Sequence, residues 1–237
     1  MFMPGFGYGF FWDSTYILVI IGAVICMMAS ANVNRTFKKY SRYSNMRGLT
    51  GAEAARQILD RAGLRYVDIE RVSGNLTDHY DPRSKVLRLS DSVYASTSVA
   101  AVGVAAHECG HAIQHAENYS PLNIRSAMIP VCNVASNLAI PVLILGTIFG
   151  SNPVFIQIGI AMFATALLVQ LVTLPVEFDA SARAVRILDN NNILVGDELK
   201  HTKKVLTAAA LTYVASVVAV LLQLLRIIII FGGRRDD

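Results

Sequence analysis

Four long apolar stretches interrupt the chain, and each is long enough to cross a membrane as a helix. They run from about residue 14 to 33, from 129 to 149, from 154 to 176 and from 208 to 231. A helix needs roughly 20 apolar residues to cross about 30 Å of hydrocarbon. The pattern predicts a mostly α-helical integral membrane protein with four spans, in which the second and third form a hairpin.

The segment between the first two stretches has a different pattern, which predicts a folded region of helices and strands. "LTGAEAARQILDRAGLRY" is amphipathic, with Thr50 and Glu53 at capping-box spacing and Gly63 placed to end the helix. "YVDIERV" and "KVLRLS" alternate apolar and polar residues, as half-buried strands do. The residues between them are rich in turn formers. A small sheet followed by a helix is the expected arrangement.

These patterns divide the chain into five segments. We expect an N-terminal anchor span (1–33), an α+β region (34–128), a hairpin of two spans (129–176), a short segment outside the membrane (177–207) and a last span with its tail (208–237).

Composition agrees with a membrane protein, because only 16% of the residues are charged and the mean hydropathy is +0.46. Of the 21 lysines and arginines, 18 fall in residues 34–128 and 177–207. Basic loops stay on the cytoplasmic side. We therefore expect these two segments to face the cytoplasm and both termini to lie outside. Topology explains the basic pI, so no nucleic-acid partner is expected.

The sequence "SVAAVGVAAHECGHAIQHAEN" predicts a helix from about Ser98 to Asn118 that carries the chemistry. His107 and His111 are four residues apart, so both imidazoles leave the same helix face. Two imidazoles at this spacing can bind one zinc ion, and Glu108 beside them can act as general base on a water molecule. The sequence thus predicts the H-E-x-x-H arrangement of zinc peptidases.

A catalytic zinc site uses three protein ligands and leaves one position open. Glu177, just after the third apolar stretch, is the preferred third ligand, and Asp179 is the rival. His115 is interpreted as a surface or supporting histidine; as a fourth ligand it would make the site structural. One zinc ion per chain is expected.

The segments "AAHECGHAIQHAE", "EFDASARAVRIL" and "LTDHYDPRSKVLRLS" resemble the bacterial YugP-type neutral zinc metallopeptidases over nearly the whole chain. The chain is also distantly similar to the HtpX and CAAX prenyl-protease group of integral-membrane gluzincins. The resemblance implies His107, His111 and Glu177 as ligands and Glu108 as general base. Ser181 stands where the wider group has an aspartate, so a different partner is expected to orient a ligating histidine.

The resemblance also implies a strand edge that binds substrate and a group that stabilises the oxyanion. We expect Val86–Ser90 to provide the edge, and His79 or His201 to be the oxyanion group.

The sequence therefore predicts a membrane-embedded zinc endopeptidase that cleaves polypeptides at the cytoplasmic face of the bacterial membrane. One alternative is a site-2-type intramembrane protease, which would take its third ligand from an aspartate. The other is a non-catalytic scaffold with a structural metal, in which four protein ligands would close the site.

Overall fold

The structure is a computed structural model that describes residues 13–150 and 152–232. Helices dominate it, and a small three-stranded sheet lies between the second and third helices in chain order. The elements are α1 (Tyr16–Tyr40), α2 (Gly51–Arg61), β1 (Asp68–Val72), β2 (His79–Asp81), β3 (Val86–Ser90), α3 (Asp91–Tyr94), α4 (Val99–Ala116), α5 (Ser120–Ile148), α6 (Pro153–Asn190) and α7 (Asp197–Gly232).

Four of these helices, α1, α5, α6 and α7, are long and apolar enough to cross a membrane. This confirms the predicted four-span, mostly helical fold with a small sheet. The two ends of the chain lie largely outside the described residues, so their expected position outside the cytoplasm stays a prediction.

The four long helices continue beyond the apolar stretches from which they were predicted. α1 extends to Tyr40 and α5 already begins at Ser120. α6 continues without a break to Asn190, so Glu177 lies inside a helix and not at its end. The first residues of the polar segment that follows the third span, up to Asn190, are therefore helical.

Helix α2 has the termini that the sequence predicts. The Thr50 hydroxyl accepts a hydrogen bond from the Glu53 amide, and the Glu53 carboxylate accepts one from the Thr50 amide. Gly63 adopts a left-handed conformation (φ 75°) just after the helix, where only glycine is free of steric cost. The predicted capping box and stop signal are confirmed.

The sheet differs from the predicted one in three respects. The turn-rich segment contains a further strand, β2, which pairs antiparallel with β3, while β1 pairs parallel with β3. β3 is therefore the central strand, and four of its five residues are buried, so it is not half-buried. The expectation that Val86–Ser90 offers a free edge to substrate is wrong, because both of its edges are already paired.

The described residues divide between two compact units. Among the described residues, one unit comprises 13–28, 125–150, 152–172 and 213–232, and the other comprises Ala29–Ile124 and Thr173–Thr212. The second unit, which we call the catalytic unit, contains α2, α3, α4 and the whole sheet. The first unit, which we call the apolar unit, consists of parts of the four long helices.

Small residues bring helices together inside the apolar unit. A methyl group added at Gly22 would lie 3.1 Å from the Cα atom of Ala219, so the backbones of α1 and α7 approach closely at this point. Gly159 packs in the same way against Leu143 of α5. Close packing through small residues is typical of membrane helices. Arg226, a charged residue in the last span, is buried and lies 3.7 Å from the Asp13 carboxylate.

The core of the catalytic unit surrounds α4. This helix begins where the sequence predicts, and Ser98 caps it by accepting a hydrogen bond from the Ala101 amide. Five of its six alanines are buried, and the Cys109 thiol lies among them, 3.7 Å from the Ala55 carbonyl oxygen of α2. Burial raises the pKa of Cys109, which makes it an inert packing residue. The opposite face of α4 carries the polar residues.

Candidate metal centre

His107 and His111 project together from α4, one helical turn apart. Their ring centroids are 4.7 Å apart and the rings meet nearly edge-on. Only 13% of each side chain is exposed. The spacing of four residues thus places two imidazoles side by side in a largely buried position, as the sequence predicts.

Glu177 reaches the same place from α6. One of its carboxylate oxygens lies 3.3 Å from Nε2 of His107 and 3.5 Å from Nε2 of His111. One donor atom from each of these three residues lies within 4.8 Å of the other two. The structure therefore brings together the three residues that the sequence predicts as ligands, although they are up to 70 positions apart.

A close crossing of α4 and α6 makes this convergence possible. A methyl group on Gly110 would lie 2.7 Å from the Ala180 carbonyl oxygen and 3.2 Å from its Cα atom. The two backbones touch at this point, between the histidine pair on one helix and the carboxylate on the other. A glycine at position 110 is needed for Glu177 to reach the histidines.

The other ring nitrogen of each histidine contacts a neighbouring side chain. The Ser181 hydroxyl lies 3.1 Å from Nδ1 of His107, and the Gln114 side-chain oxygen lies 3.0 Å from Nδ1 of His111. Such contacts orient ligating histidines in metal sites. The serine that replaces the wider group's aspartate thus lies where it can orient His107 itself.

Gln114 is a site residue that the sequence reasoning missed. It is fully buried, and its amide nitrogen donates to the Val176 carbonyl and to the Asp179 carboxylate. The amide oxygen is then left to accept from Nδ1 of His111. In neutral His111 the lone pair must therefore lie on Nε2, the atom that faces Glu177.

Asp179, the rival third ligand, is engaged elsewhere. It accepts hydrogen bonds from Gln114 and from Arg183, and Arg183 also forms an ion pair with Glu117 at the end of α4. Asp179 therefore does not contact the histidines itself; it holds Gln114, which contacts His111.

Glu108 lies beside the first histidine and is largely buried, with 8% of the residue exposed. Its carboxylate accepts a hydrogen bond of 3.1 Å from the backbone amide of Tyr80 in β2. β2 therefore fixes the carboxylate that the sequence predicts as general base. Because β2 is only three residues long and lies in a turn-rich segment, this contact could not be found from the sequence.

Tyr80 is also joined to His115, one turn beyond the histidine pair. Its hydroxyl lies 3.0 Å from Nδ1 of His115. Burial raises the pKa of Tyr80 to about 12, so its hydroxyl stays protonated at physiological pH. His115 thus contacts Tyr80, and it is outside the one group of three possible metal ligands found in residues 13–150 and 152–232.

The two predicted oxyanion residues lie in different surroundings. His79 precedes Tyr80 in β2, is exposed, and its Nδ1 atom is 2.9 Å from the Thr77 carbonyl oxygen. His201, in α7, stacks on Tyr40 and contacts Tyr43, with ring centroids 4.7 and 5.2 Å apart. An oxyanion role for either residue stays a prediction.

The electrostatics of the group favour a cation. Burial alone would lower the pKa of His111, but its hydrogen bond with Glu177 and the negative charge of Glu108 raise it instead. Positive charge is thus stabilised at this position. Two imidazole nitrogens and one carboxylate oxygen are also the donor types of catalytic zinc sites, so the residues present fit a zinc ion.

Comparison with known proteins agrees with this geometry. Residues 15–232 match the model of a family described as "Putative neutral zinc metallopeptidase". The chain is 45% identical over 223 residues to "Putative membrane protease YugP" of Bacillus subtilis (strain 168), an alignment that covers 94% of this chain and 99% of that protein. No solved structure matches the chain significantly.

The family model matches most of the chain, and a full-length relative is 45% identical to it. The four helices long and apolar enough to cross a membrane and the His/His/Glu cluster agree with that family. The chain belongs to the YugP-type family of membrane-bound neutral zinc metallopeptidases.

Proposed function

We propose that the protein is a zinc-dependent endopeptidase in which His107, His111 and Glu177 hold the metal and Glu108 is the general base. The observation that carries this proposal is the convergence of two imidazoles and a buried carboxylate, with donor atoms within 4.8 Å of one another. The family adds the expectation of zinc and of a polypeptide substrate.

When bound, zinc supplies Lewis acidity, which polarises the scissile carbonyl and lowers the pKa of water. The proton transfers are carried out by a side chain of the protein, Glu108. Glu108 accepts a proton from the attacking water as the new carbon–oxygen bond forms. It then donates this proton to the amide nitrogen as the carbon–nitrogen bond breaks, so the amine leaves neutral. The Tyr80 amide keeps the carboxylate aimed for both transfers.

The outer edge of β2 is the proposed place for the substrate backbone. The Tyr80 amide points away from β3 and toward Glu108, so this edge runs beside the general base. A polypeptide in extended conformation can pair with an outer strand edge through its main chain, here without using the Tyr80 amide, which donates to Glu108. Such a substrate would present a peptide bond next to Glu108 whatever its side chains are.

Two observations favour this mechanism over the alternatives. A site-2-type protease would place the histidines in a spanning helix, whereas α4 is not one of the four long apolar helices. A structural metal would need a fourth protein ligand, and His115 contacts Tyr80 instead. A group of three possible protein ligands is the number that a catalytic zinc site uses.

We also propose that the catalytic unit faces the cytoplasm. The support is the distribution of charge, because 18 of the 21 lysines and arginines lie in residues 34–128 and 177–207. Substrates would then be membrane-associated polypeptides reached from the inner face.

The test is the Glu108→Gln variant, assayed on fluorescent casein with the full-length protein in detergent or nanodiscs. Removal of the base should reduce cleavage about 10²- to 10⁴-fold. Elemental analysis should still find one zinc ion per chain, because Glu108 is not a ligand. Glu70→Gln, which removes an exposed carboxylate from β1, is the matched control and should cleave normally. Cleavage by Glu108→Gln at the wild-type rate would overturn the mechanism.

A further inference from the structure

A basic groove lies between the end of α1 and the beginning of α7, within the catalytic unit. Its volume is about 630 Å³, and four lysines, Lys39, Lys200, Lys203 and Lys204, contribute to its lining. Ala208 and Leu211 give it an apolar end. The lysines of α7 are more than 160 positions from Lys39, so the fold assembles this charge from two separate parts of the chain.

The positive charge of the groove is largely unbalanced. Lys200 forms an ion pair of 2.8 Å with Asp197. Lys39, Lys203 and Lys204 have no carboxylate within 4 Å among residues 13–150 and 152–232, and all three are exposed. A second hollow of about 440 Å³, lined by Arg35, Lys38, Lys39 and Arg42, adjoins the groove through Lys39. Like charges collected in this way repel one another until an anion binds.

The lysines of α7 lie close to the amino end of this helix. α7 begins at Asp197, so Lys200, Lys203 and Lys204 lie in its first two turns. The amino end of a helix carries partial positive charge, and Asp197 and Glu198 in the first turn offset this charge. An anion in the groove would be attracted by Lys203 and Lys204, which lie in the second turn, and by Lys39 of α1.

We propose that this groove binds the phosphate-bearing headgroup of an anionic membrane phospholipid. Leu211 is 48% exposed at the apolar end, and both helices lead from the groove into apolar spans. A lipid can satisfy both ends at once, because its phosphate meets the lysines and its acyl chains follow the apolar helix faces. Basic pockets between spanning helices have this function in other membrane proteins. A free phosphate would use only the charged end.

The experiment is native mass spectrometry of the full-length, delipidated protein titrated with dioleoyl phosphatidylglycerol or dioleoyl phosphatidylcholine. We expect one phosphatidylglycerol per chain to survive activation that removes phosphatidylcholine. Lys39→Gln/Lys203→Gln/Lys204→Gln should weaken phosphatidylglycerol binding about 10- to 100-fold. The matched control, Arg65→Gln/Arg83→Gln/Lys85→Gln, removes three exposed charges elsewhere in the same unit and should leave binding unchanged.

Equal retention of both lipids, or equal loss of binding in the two triple variants, would overturn the proposal. Displacement of the lipid by millimolar inorganic phosphate would also overturn it, because the site would then bind soluble anions. A triple Lys→Arg variant keeps the charge and should keep the lipid, which separates loss of charge from loss of fold. Binding is measured without zinc or cleavage, so its failure is distinct from failure of the proposed peptidase activity.

Discussion

The two units of the chain differ in how much of their apolar surface the protein itself buries. The catalytic unit buries 26 hydrophobic residues in one core around α2, α4 and β3. The core cluster of the apolar unit has four buried members, and large side chains such as Val131 and Phe149 remain more than 60% exposed. Lipid must cover these side chains, whereas protein packing alone positions the metal centre. Local packing should therefore decide the activity of the catalytic unit.

The largest effect should come from a cavity in the core of the catalytic unit. Leu59 of α2 is fully buried, so Leu59→Ala removes packed atoms and should lower the free energy of unfolding by about 2–5 kcal/mol. Denaturant unfolding of the protein in a mild detergent measures this loss. A change below about 0.5 kcal/mol would mean that the catalytic unit is not packed like a soluble protein.

The next effect concerns the crossing of α4 and α6. Gly110→Ala places a methyl group 2.7 Å from the Ala180 carbonyl oxygen, so the helices must separate. Overpacking of this kind should cost about 1–3 kcal/mol of stability, and it should weaken zinc binding because Glu177 moves with α6. Gly63→Ala is the control, because it also lowers stability through the left-handed conformation of Gly63 but has no neighbour within 4 Å and should leave zinc affinity unchanged. Normal zinc affinity in Gly110→Ala would show that the crossing does not set the ligand geometry.

Gln114→Met should weaken zinc binding about 10- to 100-fold, as loss of a partner that orients a ligating histidine typically does. The variant keeps the volume of the side chain but removes the contact with Nδ1 of His111 and leaves the Val176 carbonyl without its donor. Competition with a fluorescent zinc chelator measures the affinity. Gln57→Met, on the partly buried face of α2, serves as the control. Equal affinities in the two variants would contradict a positioning role for Gln114.

The smallest effect is expected in the apolar unit. Val131 is 67% exposed, so Val131→Ala removes no protein contact of consequence and should change stability by less than about 0.5 kcal/mol. The same unfolding assay as for Leu59→Ala makes the comparison direct. A loss comparable to that of Leu59→Ala would show that this surface packs against protein and not against lipid.

Local signals in the sequence were sufficient for much of this architecture. The apolar stretches located the four spans, Ser98 and Asn118 bounded α4, and helix periodicity put the two histidines on one face. Glu177 could be proposed because it follows an apolar stretch on the same predicted side of the membrane. Each of these signals depends on residues that are close together in the chain.

The supporting contacts depend on residues that are far apart in the chain, and the sequence does not reveal them. Gln114 looks like an ordinary polar residue in a helix until its contacts with Val176 and Asp179 are known. β2 is too short to show alternation, so neither the order of the strands nor the contact of Tyr80 with Glu108 could be predicted. These interactions form only when the sheet, α4 and α6 come together.

The most direct test of the account is the zinc content and zinc coordination of the purified protein, compared between Glu177→Ala and Asp179→Ala. X-ray absorption of the wild-type protein should show one four-coordinate zinc per chain with two imidazole ligands. Glu177→Ala should lose zinc at concentrations that saturate the wild type, and Asp179→Ala should still bind one zinc per chain, although more weakly. Full zinc occupancy in Glu177→Ala together with loss of zinc in Asp179→Ala would contradict the central claim.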